Sequence, residues 1–135
     1  MSSAFYLPRI LSVNGKTYTE AELLAASNYV LILDETGGGK TELMKSLAHI
    51  SGTADVTANV FAHMGTDIEN HPLVIDAFDE LAKVDQTGLY KLLTNAKKAN
   101  PTHVIISSRS SEWDNATTNA FNDFFAHPPL VARLC

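Results

Sequence analysis

Short apolar runs alternate along the chain with polar stretches punctuated by Gly, Pro and Asn, and the period of each run predicts its element. Tyr29-Val30-Leu31-Ile32-Leu33 is continuously apolar and rich in strand formers, then breaks off at Asp34-Glu35-Thr36-Gly37-Gly38-Gly39. A run apolar at every position predicts a strand covered on both faces, hence central in a sheet. Beyond the glycines, Leu43, Met44, Leu47 and Ala48 recur at helical spacing, which predicts a helix beginning close to Lys40 with one face on that sheet. Leu73-Val74-Ile75, bounded by Pro72 and Asp76, predicts a second buried strand. Leu89, Leu92, Leu93 and Ala96 predict a helix that Asn100-Pro101 stops. His103 to Ile106 predicts a third strand leading into Ser107-Ser108-Arg109, and Leu130 to Leu134, after Pro128-Pro129, a last one. Upstream, Phe5 to Ile10 reads as extended, and Thr19 with Glu22 forms a capping box that starts a short helix. Ser51 to His71 is polar and irregular, with one short strand expected at Asn59 to His63. Buried strands alternating with amphipathic helices predict an α/β fold whose parallel sheet is joined by right-handed crossovers.

Composition narrows the class. A chain of 135 residues fits one domain, and 45% hydrophobic with 19% charged residues is too apolar for disorder and too interrupted for a membrane span. The net charge of -5 argues against general attraction to nucleic acid, and nothing in the sequence points to a nucleic-acid partner. The sole cysteine, Cys135, excludes a disulfide framework within the chain and a thiolate metal cluster. No charged-then-apolar leader precedes Phe5, so the expected compartment is the cytoplasm, and the Asn115-Ala116-Thr117 sequon reads as a chance match. The five histidines lack metal-type spacing, and Phe121, Phe124 and Phe125 read most simply as core.

The strongest chemical signal is Gly37-Gly38-Gly39-Lys40-Thr41 at a strand-to-helix turn. Phosphate binding there needs residues without side chains, whose N–H groups close on anionic oxygens. Lys40 would reach the outer phosphates and the Thr41 hydroxyl would ligate magnesium, a cation that prefers oxygen donors. The pattern G-x-x-x-x-G-K-[ST] puts its first glycine where this chain has Asp34. That carboxylate either weakens phosphate binding by repulsion or eases the strand exit as glycine would. Asp76 ends a buried strand at the sheet edge where α/β folds place ligands, which suits a magnesium carboxylate. Asp79 or Glu80, three and four residues on, would activate the attacking water, or the two simply complement a helix N-terminus. Arg109, past the third strand, would contact the γ-phosphate, with Ser107 and Ser108 as further donors, or serve as a surface ion-pair partner.

Together, Val30-Leu31-Ile32-Leu33 before the glycines, Leu73-Val74-Ile75-Asp76-Ala77-Phe78-Asp79-Glu80-Leu81, and Val104-Ile105-Ile106-Ser107-Ser108-Arg109 resemble the NACHT family of signal-transducing STAND ATPases. The second segment is the most specific, matching that family's apolar run, Asp, small residue, any residue and Asp-Glu. The resemblance runs from about Phe5 to Leu134 and implies a P-loop NTPase core over residues 1–135, three-layer α/β/α with a mostly parallel central sheet. It further implies ATP or ADP with Mg2+, phosphates held by Thr36, Gly37, Gly38, Gly39, Lys40 and Thr41, metal by Thr41 and Asp76, and hydrolysis aided by Asp79, Glu80 and Arg109. The segment Phe5-Tyr6-Leu7-Pro8-Arg9 is similar to one lying near the adenine in that family, which assigns Pro8 and Arg9 to the nucleotide. Nothing here resembles the family's winged-helix or sensor-repeat regions, so the chain is expected to be the core of a longer defence or signalling protein, in bacteria among others. Self-association or partner binding would then run through the parent's other domains. Two further functions compete with a slow ATPase switch. One is an interaction or scaffold domain with a degenerate nucleotide site. The other, a small-molecule phosphotransferase, would need lid arginines, and Lys83 to Asn100 supplies none.

Overall fold

A computed structural model of the chain describes residues 10–34, 40–66, 69–85 and 87–134. The first described elements form a hairpin, β1 (Leu11–Val13) and β2 (Lys16–Tyr18), turned by Asn14 and Gly15 with φ of 51° and 85°. Positive φ at both central residues is the turn whose twist matches paired strands, and Asn-Gly is the pair that tolerates it. The capping box then forms as expected: Thr19 and Glu22 exchange side-chain and backbone hydrogen bonds at the start of α1 (Glu20–Ala26). The run at 29–33 is β3 (Tyr29–Leu33), followed by α2 (Lys40–Ser51), which buries Leu43, Met44, Leu47 and Ala48 as its spacing requires.

The strand expected at Asn59–His63 is instead part of a helix. β4 (Asp55–Thr57) precedes α3 (Ala58–Met64), which starts where Thr57 Oγ1 accepts from the Val60 N–H and ends at Gly65, with φ of 62°. Phe61 and Ala62 face inward while Asn59 keeps helical company with His63, whose Nδ1 lies 2.7 Å from the Asn59 carbonyl. Next come β5 (Leu73–Asp76), α4 (Phe78–Val84), α5 (Gly88–Lys98) and β6 (Val104–Ser108). The third strand therefore begins one residue after His103 and carries Ser107 and Ser108 within it. A 3-10 turn at Ser110–Glu112 leads to α6 (Asn115–Phe125), capped by Asp114, and to β7 (Leu130–Leu134). The polar sequence of α6 obscures its helical period, and the hairpin at 11–18 has strands too short for a period of their own.

Among the described residues seven strands form one mixed sheet in the order β2-β1-β7-β3-β6-β5-β4. β7, β3, β6, β5 and β4 are mutually parallel, while β1 runs antiparallel to both β7 and β2. Two cores flank the sheet: α1 and α2 pack with Val30, Ile32, Val74, Ile105 and Ala132 on one face. Residues of α3 to α6 pack with Leu31, Leu33, Ile75 and Ile106 on the other. The chain crosses from β3 out to β4 through α2 on the first face and returns to β7 through α3 to α6 on the second. Opposite directions on opposite faces give every crossover the same hand, as twisted parallel sheets require. β3 and β6 are neighbours whose following helices leave on different faces, which makes their carboxyl ends the topological switch point where α/β sheets bind ligands. Among the described residues no helix is long and apolar enough to cross a membrane.

Candidate functional site

The carboxyl ends of β3, β5 and β6 bring together residues far apart in sequence. Lys40 is the first residue of α2 and is buried. Its ammonium lies 3.4 Å from Asp79 Oδ1, with the two side chains 7% and 9% exposed. The guanidinium of Arg109 approaches the other oxygen of the same carboxylate, Nε to Oδ2 at 3.9 Å, from a side chain nearly half exposed. Asp79 thus stands between two cations, in the first turn of α4.

That turn is placed by its neighbours. Phe78 is buried and meets Trp113 edge-on, ring centroids 5.2 Å apart, and Trp113 donates its indole N–H to Thr118 Oγ1 at 2.8 Å. Trp113 directly follows the 3-10 turn after Arg109, so α4 and the Arg109 segment share one anchor. Between β5 and α4, Ala77 adopts a left-handed conformation, φ 63° and ψ 47°. Its N–H donates to Ser107 Oγ at 2.9 Å. Such backbone geometry costs any residue that carries a Cβ and excludes β-branched and bulky side chains most strongly.

Asp76, at the end of β5, is buried and accepts a hydrogen bond from the Ser107 hydroxyl on the adjacent strand. Ser107 therefore serves Asp76 and the Ala77 turn at once, inside the protein, and Ser108 Oγ donates to the Arg109 carbonyl at 3.0 Å. Both hydroxyls, expected as phosphate donors, are engaged internally. Thr41 is exposed on the first turn of α2, and Glu80 is exposed beside the buried Asp79. Of the two acids, Asp79 is the one that meets Lys40 and Arg109. The Asp34 N–H donates to the Ser108 carbonyl at 3.2 Å and so prolongs the β3–β6 ladder by one step. Pro8, Arg9, Thr36, Gly37, Gly38 and Gly39 lie outside the described residues, as does the segment from Phe5.

One residue of this edge escaped the sequence reading. Arg133, opposite Leu33 in the β3–β7 register, donates from Nη1 to Ser110 Oγ at 2.9 Å and ties the segment after Arg109 to the last strand. Only the register of β7 could have found it. Oxygen donors from Asp76 and Thr41 are of the type a hard divalent cation takes. Among the described residues no group of three or more His, Cys, Asp or Glu is arranged to hold a metal, so an ion here would draw most of its ligands from phosphate and water. The chain matches no family model and no curated protein in sequence.

Proposed function

We propose that this chain is an ATP-binding P-loop module of the NACHT type that hydrolyses slowly and acts as a switch, within a larger cytoplasmic signalling or defence protein. The observation that carries the reading is the buried Lys40 ammonium at the start of α2, beside Asp79 and Arg109 at the switch point of the sheet. A buried cation that directly follows a run of glycines in sequence suits the outer phosphates of a nucleotide. In this reading Thr36 to Thr41 cradle the phosphates, Pro8 and Arg9 lie near the adenine, and Thr41 with Asp76 hold Mg2+, which offsets phosphate charge. Asp79, or Glu80 beside it, orients and deprotonates water. The water oxygen bonds to the γ-phosphorus while the bond from that phosphorus to the bridging oxygen breaks, and Arg109 stabilises the charge that develops. Ser107 keeps Asp76 pointed at the site.

A second reading, an interaction domain with a degenerate site, draws support from Asp34 in place of the first glycine and from the existing Lys40–Asp79 pair, which neutralises the lysine without any ligand. Thermal unfolding with Mg-ATP and Mg-ADP separates the two. A ligand at a hundred times its Kd adds about 2.7 kcal/mol to the stability of the state that binds it. The expected result is an upward shift of several degrees in the unaltered chain and none in Lys40→Ala. Absence of any shift at millimolar nucleotide would favour the interaction domain.

A further inference from the structure

Resting on the nucleotide-site reading, we propose that Asp79 is a built-in substitute for phosphate: its carboxylate engages Lys40 and Arg109 and must give them up for nucleotide to bind. The two contacts are 3.4 Å and 3.9 Å, made by separate oxygens to separate cations. Both exceed the 2.7–2.9 Å of a tight charge-assisted bond, and neither is bidentate. The arrangement compensates a buried lysine, which would otherwise be costly, without locking it. A phosphate group carries more charge and more acceptor oxygens than one carboxylate, so it can take both cations from Asp79.

Position supports the same conclusion. Asp79 reaches Lys40 from across the sheet edge, α4 to α2, from 39 positions further along the sequence. Its own helix is anchored through Phe78 on Trp113, so the carboxylate can leave the cations by side-chain rotation while α4 stays in place. The exchange ties binding to chemistry. The carboxylate is sequestered by Lys40 until phosphate arrives, and only then is it free to act on water beside the γ-phosphate. A chain of this kind reads affinity and readiness from one side chain. Apparent affinity is lowered by the fraction of molecules in which Lys40 is already engaged.

The test is calorimetric titration of the full chain with ATP in the absence of Mg2+, comparing the unaltered protein, Asp79→Asn and Lys40→Ala/Asp79→Asn. If Lys40 is free in about a tenth of molecules, Asp79→Asn binds roughly tenfold tighter than the unaltered chain, and the double variant loses the gain. Equal or weaker binding by Asp79→Asn, with the unaltered chain binding, overturns this proposal and leaves the nucleotide site standing. Binding by none of the three overturns both. Should Asp79→Asn fail to fold, carbon-detected NMR of the unaltered chain decides. The Asp79 carboxyl resonance should move on saturation with ATP, and a carboxyl signal unchanged in the bound protein overturns the proposal.

Discussion

The candidate site depends on individual side chains that do two things at once, and Ser107 is the clearest. It is fully buried, donates to Asp76 and accepts from the Ala77 N–H. Ser107→Ala removes a partner from each, and a buried polar group left unsatisfied costs about 1–3 kcal/mol. A lower urea midpoint at unchanged slope is the expected outcome, and a midpoint within error of the unaltered protein would show that Asp76 and Ala77 find other partners. Away from the site, Asp85 closes α4 and steadies the start of α5. The Lys91 ammonium, then the Thr87 hydroxyl and N–H, hold its carboxyl down to about 2. A depressed carboxyl contributes stability that is complete above its ordinary range near pH 4 and is lost as pH falls toward 2. An NMR titration of that carboxyl should show its midpoint near 2, and the midpoint should rise in Lys91→Met. Residue chemistry of this kind was only partly legible beforehand. The types and spacing of Lys40, Asp76, Asp79 and Arg109 marked them out, but their pairing depends on strand order, which no local pattern carries.

Among elements, legibility followed the density of apolar residues. β3 and α2 announced themselves because nearly every position, or every position on one face, is committed to the core. The segment Asn59-Val60-Phe61-Ala62-His63 is too short for its period to decide between strand and helix. The decision is made by the caps, Thr57 and Gly65, which flank it. α6 has few good helix formers and owes its existence to the Asp114 cap and to Phe121, which packs among Trp113, Phe125 and Tyr29. Phe124 and Phe125 join that core only in part. The junction of α4 and α5 is a close approach. A Cβ on Gly88 would stand 2.6 Å from Leu81 Cγ, and Leu81 is itself fully buried. Gly88→Ala should therefore destabilise the protein by about 1–3 kcal/mol, the usual cost of overpacking, despite the better helix propensity of alanine. Chemical denaturation measures it, and a stabilised variant would mean that α4 and α5 can part without loss.

At the scale of the whole molecule, the alternation of strands and helices was enough to expect a mostly parallel sheet with helices on both faces, and the seven strands meet that expectation. The antiparallel margin was not, because its signal is only two turn residues, Asn14 and Gly15, between strands of three residues each. That margin joins the two extremes of the described chain, Leu11 opposite Leu134. During synthesis the β1–β2 hairpin emerges before the other described strands yet has none of them to dock on until β7 is made, since β7 separates it from β3. Loop closure over nearly the full described length makes this contact slow to form compared with local ones. Until then β3, whose carboxyl end leads to Lys40, has an unpaired flank. The ribosome therefore releases the ingredients of the site in order, but the sheet beneath them is sealed only by β7, which follows them all in the described chain.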